Sequence, residues 1–256
     1  MCGIVGYIGH RQAYPILIKG LQRLEYRGYD SAGIAIYNGK TLVSCKSKGK
    51  ISKLEKLIEK RKNISGGIGI GHTRWATHGE PNDFNAHPQF SNSKKLCLVH
   101  NGIIENYSTI KQKLIKEGLS FTSETDTEVL VNLIEFVKNK NDVKLGEAVQ
   151  IALNQVVGAY AIAVIDDDKP DEIVVAKLGS PLCIGIGEDE HFIGSDVTPF
   201  IEYTKDVVYL EDGELAIIRN HKETFFRKID DNSSISPTVS KLESVSYTHL
   251  TLPTKA

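Results

Sequence analysis

The chain has 256 residues, of which 41% are hydrophobic and 25% charged, as is typical of a globular protein with a substantial core. Its formal net charge is −1, which gives no electrostatic reason to expect binding to nucleic acid or to an anionic membrane surface. No apolar run approaches the roughly 18 residues that a membrane-spanning helix needs.

The first half of the sequence alternates short apolar strands with amphipathic helices. Strands are predicted at 2–8, 33–37, 42–47, 67–73 and 96–100, and helices at 11–24, 51–58, 104–116, 127–137 and 143–156. Asn38-Gly39 predicts a hairpin turn between two of the strands. The glycine-rich run 66–71 is followed by a loop and not by a helix, so it predicts a tightly packed strand and not a phosphate-binding loop.

From Gly158 onward, predicted strands follow one another without helices between them, at 159–165, 172–176, 182–186, 192–194, 207–210, 214–219 and 223–227. Consecutive strands joined by short turns imply antiparallel pairing. Strands at both ends of the chain with helices grouped between them predict an α+β layered sandwich. From about Ser233 the apolar pattern is lost and Ser, Thr and Pro become frequent, which indicates a linker or a disordered end.

The four cysteines, at positions 2, 45, 97 and 183, include no Cys-x-x-Cys pair. Their dispersal argues against a disulfide framework or a zinc site and favours a reducing compartment. The N-terminus lacks the basic region and the long apolar stretch of a signal peptide. We therefore expect a cytoplasmic protein, with no metal or other cofactor.

Cys2 becomes the N-terminal residue if Met1 is removed. A thiol, with an ordinary pKa of about 8.5, and an α-amino group, with one of about 8, then lie on the same residue. Together they supply the activated nucleophile that acyl transfer needs, with the terminal amine as the base. The alternative is a cysteine that merely lies in a buried first strand, since free cysteine is among the most buried residue types.

Polar clusters interrupt the apolar strands at 27–33, at 72–79, and at 100–102 with 123–126. Asn101-Gly102 indicates either a turn or an oxyanion hole made of an amide side chain and the next backbone N–H. Arg74 is either a surface arginine or a clamp for a carboxylate, and Asp126 either a helix cap or a partner for an ammonium group. The spacing of the histidines in these clusters matches no zinc motif.

Taken together, these motifs resemble the glutaminase domain of glucosamine-6-phosphate synthase, the hexosamine-forming branch of the glutamine amidotransferases. The resemblance runs from Cys2 to about Arg227 and is carried by five motifs, at 2–7, 24–33, 71–79, 100–102 and 123–128. It implies a four-layer αββα sandwich of antiparallel sheets, of the N-terminal-nucleophile hydrolase type.

The resemblance also implies a catalytic role for three of the residues. Cys2 would attack the side-chain amide of glutamine, with its own α-amino group as the base, and a thioester would form. Asn101 and Gly102 would hold the oxyanion. Arg27 would support the residues that contact the substrate without contacting it itself.

For substrate binding, the resemblance implies four residues, Arg74, Thr77, His78 and Asp126. Arg74 would hold the α-carboxylate of glutamine and Asp126 its α-ammonium group. The loop that begins at Arg74 would close over the substrate, and Trp75 would gate the path of ammonia.

The implied acceptor of the ammonia is fructose 6-phosphate, bound by a phosphosugar-isomerase domain that the chain is too short to contain. We expect oligomers only through that domain. The predicted division is a glutaminase domain at 2–228, a linker at 229–243, and a tail at 244–256 that does not resemble the family and is expected to be disordered or foreign. Two alternatives stay open: an amidotransferase with a phosphoribosyl acceptor, and an inactive glutamine-binding module.

Overall fold

The computed structural model describes residues 2–28, 30–61, 63–75, 79–220 and 223–242, so the predicted tail at 244–256 lies outside the described residues. Within the described ranges, the strands in chain order are β1 (Gly3–Gly9), β2 (Ser31–Tyr37), β3 (Leu42–Lys48), β4 (Ile68–Arg74), β5 (Gln89–Phe90), β6 (Leu96–Ile104), β7 (Gly158–Asp166), β8 (Glu172–Leu178), β9 (Cys183–Gly187), β10 (Glu190–Gly194), β11 (Asp206–Tyr209), β12 (Glu214–Arg219), β13 (Phe225–Lys228), β14 (Ser234–Ile235) and β15 (Val239–Lys241). The helices of the same ranges are α1 (Ala13–Leu24), α2 (Ile51–Glu59), α3 (Tyr107–Lys116), α4 (Asp126–Asn141) and α5 (Leu145–Leu153).

The strands form two antiparallel sheets. The first has the order β15-β11-β9-β10-β1-β4-β2-β3, and the second has the order β14-β13-β12-β8-β7-β6-β5. Apolar residues from both sheets meet in one buried cluster, which includes Ile4, Ile70, Val99 and Ala161. The two sheets therefore pack face to face.

Helices cover the outer face of each sheet. One buried cluster joins α1 and α2 to the first sheet, and another joins α3, α4 and α5 to the second. The fold is the predicted four-layer αββα sandwich.

The first strand, β1, is apolar throughout because both of its faces are buried. Ile4 and Ile8 point into the core between the sheets, whereas Val5 and Tyr7 pack under α1. Successive side chains of a strand point to opposite faces, and here both faces are covered. The buried strand predicted at 2–8 is thereby confirmed, with bounds one residue later.

The hairpin and the linker differ from their predictions. The predicted hairpin forms, but Tyr37 pairs with Leu42, so its loop has four residues, and the Oδ1 atom of Asn38 accepts hydrogen bonds from two backbone N–H groups within it. The segment predicted as a linker at 229–243 contributes β14 and β15, which pair with β13 and β11. Their side chains are largely exposed, so backbone pairing at sheet edges holds them and no apolar pattern marks them.

Candidate active site

Cys2 directly precedes β1, and neighbouring strands hold it in place. The backbone N–H of Trp75 donates to the Sγ atom of Cys2 at 3.2 Å, and the Nδ2 atom of Asn101 donates to the carbonyl oxygen of Cys2 at 3.1 Å. Two residues further on, Ile4 and Ser195 exchange hydrogen bonds: the Ile4 N–H donates to the Ser195 Oγ atom at 3.0 Å, and the Ser195 N–H donates to the Ile4 carbonyl at 3.1 Å. The start of the chain is thus fixed on three sides.

The surroundings of the Cys2 thiol disfavour its ionisation. Burial raises the pKa of the thiol, and the hydrogen bond from the Trp75 N–H opposes this effect only in part. The thiol therefore stays protonated at neutral pH, and any reaction through the sulfur requires a base close by.

Asn101 and Gly102 lie inside β6, where they pair with Ala161 and Tyr160 of β7. The interpretation of these two residues as a turn is therefore wrong. Gly102 has a φ of +133°, and a Cβ atom there would lie 2.0 Å from the carbonyl oxygen of Ala159. Only glycine fits this position, which is directly beside the amide of Asn101.

Arg74 and Asp126 provide a buried cation and a buried anion near Cys2. Arg74 is the last residue of β4, and its Nη2 atom donates to the carbonyl oxygen of Gly79 at 3.1 Å. Asp126 is the first residue of α4, and its Oδ2 atom accepts from the backbone N–H of Ile104 at 2.8 Å. Arg74 and Asp126 line the same cavity beside Cys2. A cation and an anion placed in this way can bind the carboxylate and the ammonium group of a free amino acid.

Thr125, and not Asp126, caps the helix that begins at this point. Thr125 is the N-cap of α4, and its side chain accepts a hydrogen bond from the N–H of Glu128. The Glu128 carboxylate does not return to Thr125 as it would in a capping box. It accepts instead from the backbone N–H groups of Thr122 and Ser123, and so secures the loop that leads to Asp126.

Two cavities meet at Cys2. The larger, of about 320 Å³, is lined by Cys2, Arg27, Trp75, Asn101, Gly102, Ile103, Ser180 and Pro181. The smaller, of about 20 Å³, is lined by Cys2, Arg74, Trp75, His87, His100, Gly102, Thr125, Asp126 and Thr127. Asn101 thus lines the larger cavity, Arg74 and Asp126 line the smaller one, and Gly102 lines both.

Arg27 and Trp75 complete the mouth of the larger cavity. Trp75 is half-exposed, at 50% of its full area. The guanidinium of Arg27 forms an ion pair with Asp196, and its Nη1 atom donates to the carbonyl oxygen of Ser195 at 3.4 Å. Through Ser195, which bonds to Ile4, Arg27 supports the segment that carries Cys2.

Seven of the predicted site residues converge in the structure: Cys2, Arg27, Arg74, Trp75, Asn101, Gly102 and Asp126. The other two, Thr77 and His78, lie outside the described residues. Among the described residues, no group of three or more His, Cys, Asp and Glu side chains is arranged to hold a metal ion.

Several residues that support the site were not predicted. Ser195 and Asp196 directly follow the apolar strand β10. The predicted polar clusters also interrupt apolar strands, so the same pattern could have identified these two residues. His87 and Thr127, whose side chains hydrogen-bond to each other at 2.7 Å, are 40 positions apart and carry no local signal.

Comparison with known proteins identifies the family of the chain. A family model described as a glutamine amidotransferase domain matches residues 59–250. The chain is 60% identical over 245 residues to the isomerizing glutamine–fructose-6-phosphate aminotransferase of Bacteroides thetaiotaomicron, a match that covers 95% of this chain and 39% of that protein. The protein of the same name from Chlorobaculum tepidum is 53% identical over 231 residues, covering 88% of this chain and 37% of that protein.

The fold matches a solved structure as well. The chain superposes on the glutamine phosphoribosylpyrophosphate amidotransferase of B. subtilis, complexed with ADP and GMP, with a TM-score of 0.77 and 30% identity, over 90% of this chain and 50% of that one. The chain spans about two-fifths of the length of the two aminotransferases named above. Because the family model matches most of its residues, the chain belongs to the glutamine amidotransferase domain family.

Proposed function

We propose that the chain hydrolyses glutamine to glutamate and ammonia, with Cys2 as the nucleophile. The observation that carries the proposal is the position of the Cys2 thiol, where a cavity bordered by Asn101 and Gly102 meets one bordered by Arg74 and Asp126. Acyl transfer needs a nucleophile, donors for the oxyanion and groups that orient the substrate, and this arrangement provides candidates for all three.

In the proposed complex, glutamine is recognised by its charged end. Arg74 binds the α-carboxylate with its planar fork of donors, and Asp126 binds the α-ammonium group. Thr77 and His78 are proposed to complete this end of the site. The smaller cavity has space for about one water molecule, so we expect the loop that begins at Arg74 to move when glutamine binds.

The reaction begins when the Cys2 α-amine, free once Met1 is removed, takes the thiol proton. The sulfur then attacks the amide carbon of glutamine, and the oxyanion accepts hydrogen bonds from the Asn101 Nδ2 atom and the Gly102 N–H. Collapse of this intermediate breaks the C–N bond, and the protonated α-amine returns its proton to the leaving ammonia. Water, deprotonated by the same amine, then attacks the thioester carbonyl carbon. The C–S bond breaks, glutamate is released, and the Cys2 sulfur takes the proton back from the amine.

We further propose that the ammonia serves an isomerase domain that binds fructose 6-phosphate, with Trp75 at the exit of the site. The 60% identity to a glutamine–fructose-6-phosphate aminotransferase, against 30% to a phosphoribosylpyrophosphate amidotransferase, favours this acceptor. Fusion of the chain to the remaining part of the Bacteroides relative tests the acceptor. With glutamine and fructose 6-phosphate supplied, glucosamine 6-phosphate is the expected product, and glutamine hydrolysis without any amino-sugar product would contradict this acceptor.

The hydrolysis itself is tested by measuring glutamate and ammonia released from glutamine. We expect turnover by the chain and none by Cys2→Ala, which should still bind glutamine in a calorimetric titration. Cys45→Ala, at a buried cysteine on the far side of the first sheet, is the control and should retain activity. Glutamine binding without turnover in the unsubstituted chain would support the inactive binding module instead.

A further inference from the structure

The side-chain amide of Asn101 must choose between two orientations. Its oxygen and its NH₂ group have nearly the same size and shape, but only the NH₂ group donates. An oxyanion on the substrate needs that donor, and an amide turned by 180° would present an acceptor and repel it. Some part of the protein therefore has to hold the amide in the productive orientation.

We propose that His72 is a positioning residue that holds the Asn101 amide with its NH₂ group toward Cys2. The inference rests on the proposed function, in which this group donates to the oxyanion. The His72 Nε2 atom lies 2.9 Å from the Asn101 Oδ1 atom, and the Asn101 Nδ2 atom donates to the Cys2 carbonyl at 3.1 Å. The amide is thus held at both ends.

A second contact defines which nitrogen of His72 carries the proton. The Nε2 atom also lies 3.0 Å from the carbonyl oxygen of His100, which can only accept. Nε2 therefore carries a hydrogen and donates to both oxygens. The Nδ1 atom is buried and has no hydrogen-bond partner among the described residues, as befits the unprotonated nitrogen of a neutral ring.

Burial keeps this tautomer in place at neutral pH. It lowers the pKa of His72 to about 3, so the ring stays neutral and keeps one hydrogen, on Nε2. An Asn101 amide turned by 180° would put its NH₂ group against that N–H, donor against donor, and would put its oxygen against the Cys2 carbonyl. Both ends therefore favour the productive orientation.

His72 is well placed to act as a fixed support. It lies in β4 between two partner strands, where it pairs with Ile4 and Gly33. It is fully buried, and its ring centroid lies 4.4 Å from that of His87. His72 lines neither cavity at Cys2, so it acts through Asn101 and not on the substrate.

Two substitutions of His72 separate positioning from packing. His72→Phe keeps a ring but removes the donor, and we expect kcat for glutamine hydrolysis to fall roughly 10- to 100-fold with KM changed less than about 2-fold, since the lost interaction acts on the oxyanion. His72→Gln restores an N–H near the place of Nε2 and should recover most of the loss. His191→Phe, a ring-for-ring change on β10, is the control.

A double-variant comparison tests the route of the effect. In an Asn101→Ala background, His72→Phe should cause no further loss of kcat, because the amide that it positions is gone. A further loss of the same size in that background would overturn the inference, because it would mark a general structural role. Equal kcat for His72→Phe and the unsubstituted chain would overturn it too.

An NMR measurement tests the inference without any turnover. In protein labelled with [15N]asparagine, the Asn101 side-chain NH₂ signal is identified by its loss in Asn101→Ala. We expect it to shift or broaden in His72→Phe and to stay close to its original position in His72→Gln, whereas the signal of the buried Asn132 stays unchanged in both. An unmoved Asn101 signal in folded His72→Phe would overturn the inference. An inactive unsubstituted chain would refute only the proposed function.

Discussion

The backbone N–H of Trp75 donates to the Cys2 sulfur at 3.2 Å, although the two residues are 73 positions apart in sequence. The peptide bond between Arg74 and Trp75 packs directly against Gly28. A Cβ atom on Gly28 would lie 2.8 Å from the carbonyl carbon of Arg74 and 3.1 Å from the Trp75 nitrogen. Real Cβ atoms essentially never lie as close as 2.8 Å to a backbone atom, and a distance of 3.1 Å is unusually short. The absence of a side chain at Gly28 therefore lets the Trp75 N–H reach the sulfur.

Replacement of Gly28 by alanine should displace the Arg74–Trp75 peptide. We expect glutamine hydrolysis to fall at least about 10-fold, with a loss of about 1–3 kcal/mol in the free energy of unfolding, as is usual for overpacking. Steady-state kinetics and urea denaturation measure the two effects. Gly213→Ala is the matched control: it has open space around it but a φ of +78°, so about 1–2 kcal/mol of stability should be lost with activity kept. Full activity in Gly28→Ala would mean that the Trp75 N–H can reach the Cys2 sulfur with a side chain at position 28.

Removal of the amide donor of Asn101 should lower kcat more than it raises KM. We expect Asn101→Ala and the nearly isosteric Asn101→Asp to lose about 10²–10³-fold in kcat, as is typical for one oxyanion-hole donor. Initial-rate measurements over a range of glutamine concentrations separate the two constants. Asn141→Ala, at the end of α4, is the control. A change confined to KM would mean that Asn101 contributes only to substrate binding.

Alkylation by iodoacetamide should modify Cys2 well before the other three cysteines. Cys45, Cys97 and Cys183 are almost fully buried, and burial raises the pKa of each of these thiols. Burial also raises the pKa of Cys2, so its alkylation rate should keep rising with pH beyond the ordinary thiol pKa. Peptide mass spectrometry over time identifies the sites. Equal labelling of a buried cysteine in the folded chain would contradict this order.

Two buried histidines make stability depend on pH. Burial lowers the pKa of His72 to about 3 and that of His87 well below its ordinary value. In the unfolded chain these histidines have a pKa of about 6.5 and take up protons below it, whereas in the folded chain they stay neutral. The free energy of unfolding is therefore highest well above pH 6.5 and decreases as the pH falls through this value. Each histidine should contribute a loss of about 1.4 kcal/mol per pH unit.

Substitution of one of these histidines tests the linkage. Between pH 6.5 and 5, His87→Phe should reduce the drop in unfolding free energy by about 1.7 kcal/mol relative to the unsubstituted chain. Urea denaturation at several pH values gives the slopes, and His10→Gln, at an exposed position, is the control. Identical slopes for His87→Phe and the unsubstituted chain would mean that His87 does not stay neutral in the fold.

The sequence predicted the layers of the fold well because burial leaves a periodic pattern. The buried strand at 2–8 and the amphipathic α1 follow from apolar spacing alone. The Asn101-Gly102 pair was ambiguous, since both residues are common in turns, and only the partner strand β7 decides that they belong to β6. The edge strands β14 and β15 leave no pattern because their exposed side chains are free to vary.

The supports of the site could not be predicted, because they depend on contacts between distant parts of the chain. Arg27 meets Asp196 across 169 positions, and Ile4 meets Ser195 across 191. His72 was visible as a polar residue in an apolar strand, but its contact with Asn101 requires the two sheets to be face to face. The motif residues can be recognised from the local sequence, but the packing of the two sheets determines which residues each of them contacts.

The proposed mechanism is tested most simply by comparing the chain in two forms, one that begins at Cys2 and one that carries a single extra alanine ahead of it. Mass spectrometry of the intact protein verifies each N-terminus, and ammonia release from glutamine is measured at neutral pH. We predict turnover for the form that begins at Cys2 and a loss of at least about 100-fold for the extended form, because the base is then displaced from the thiol. Equal rates for the two forms would contradict the proposed mechanism.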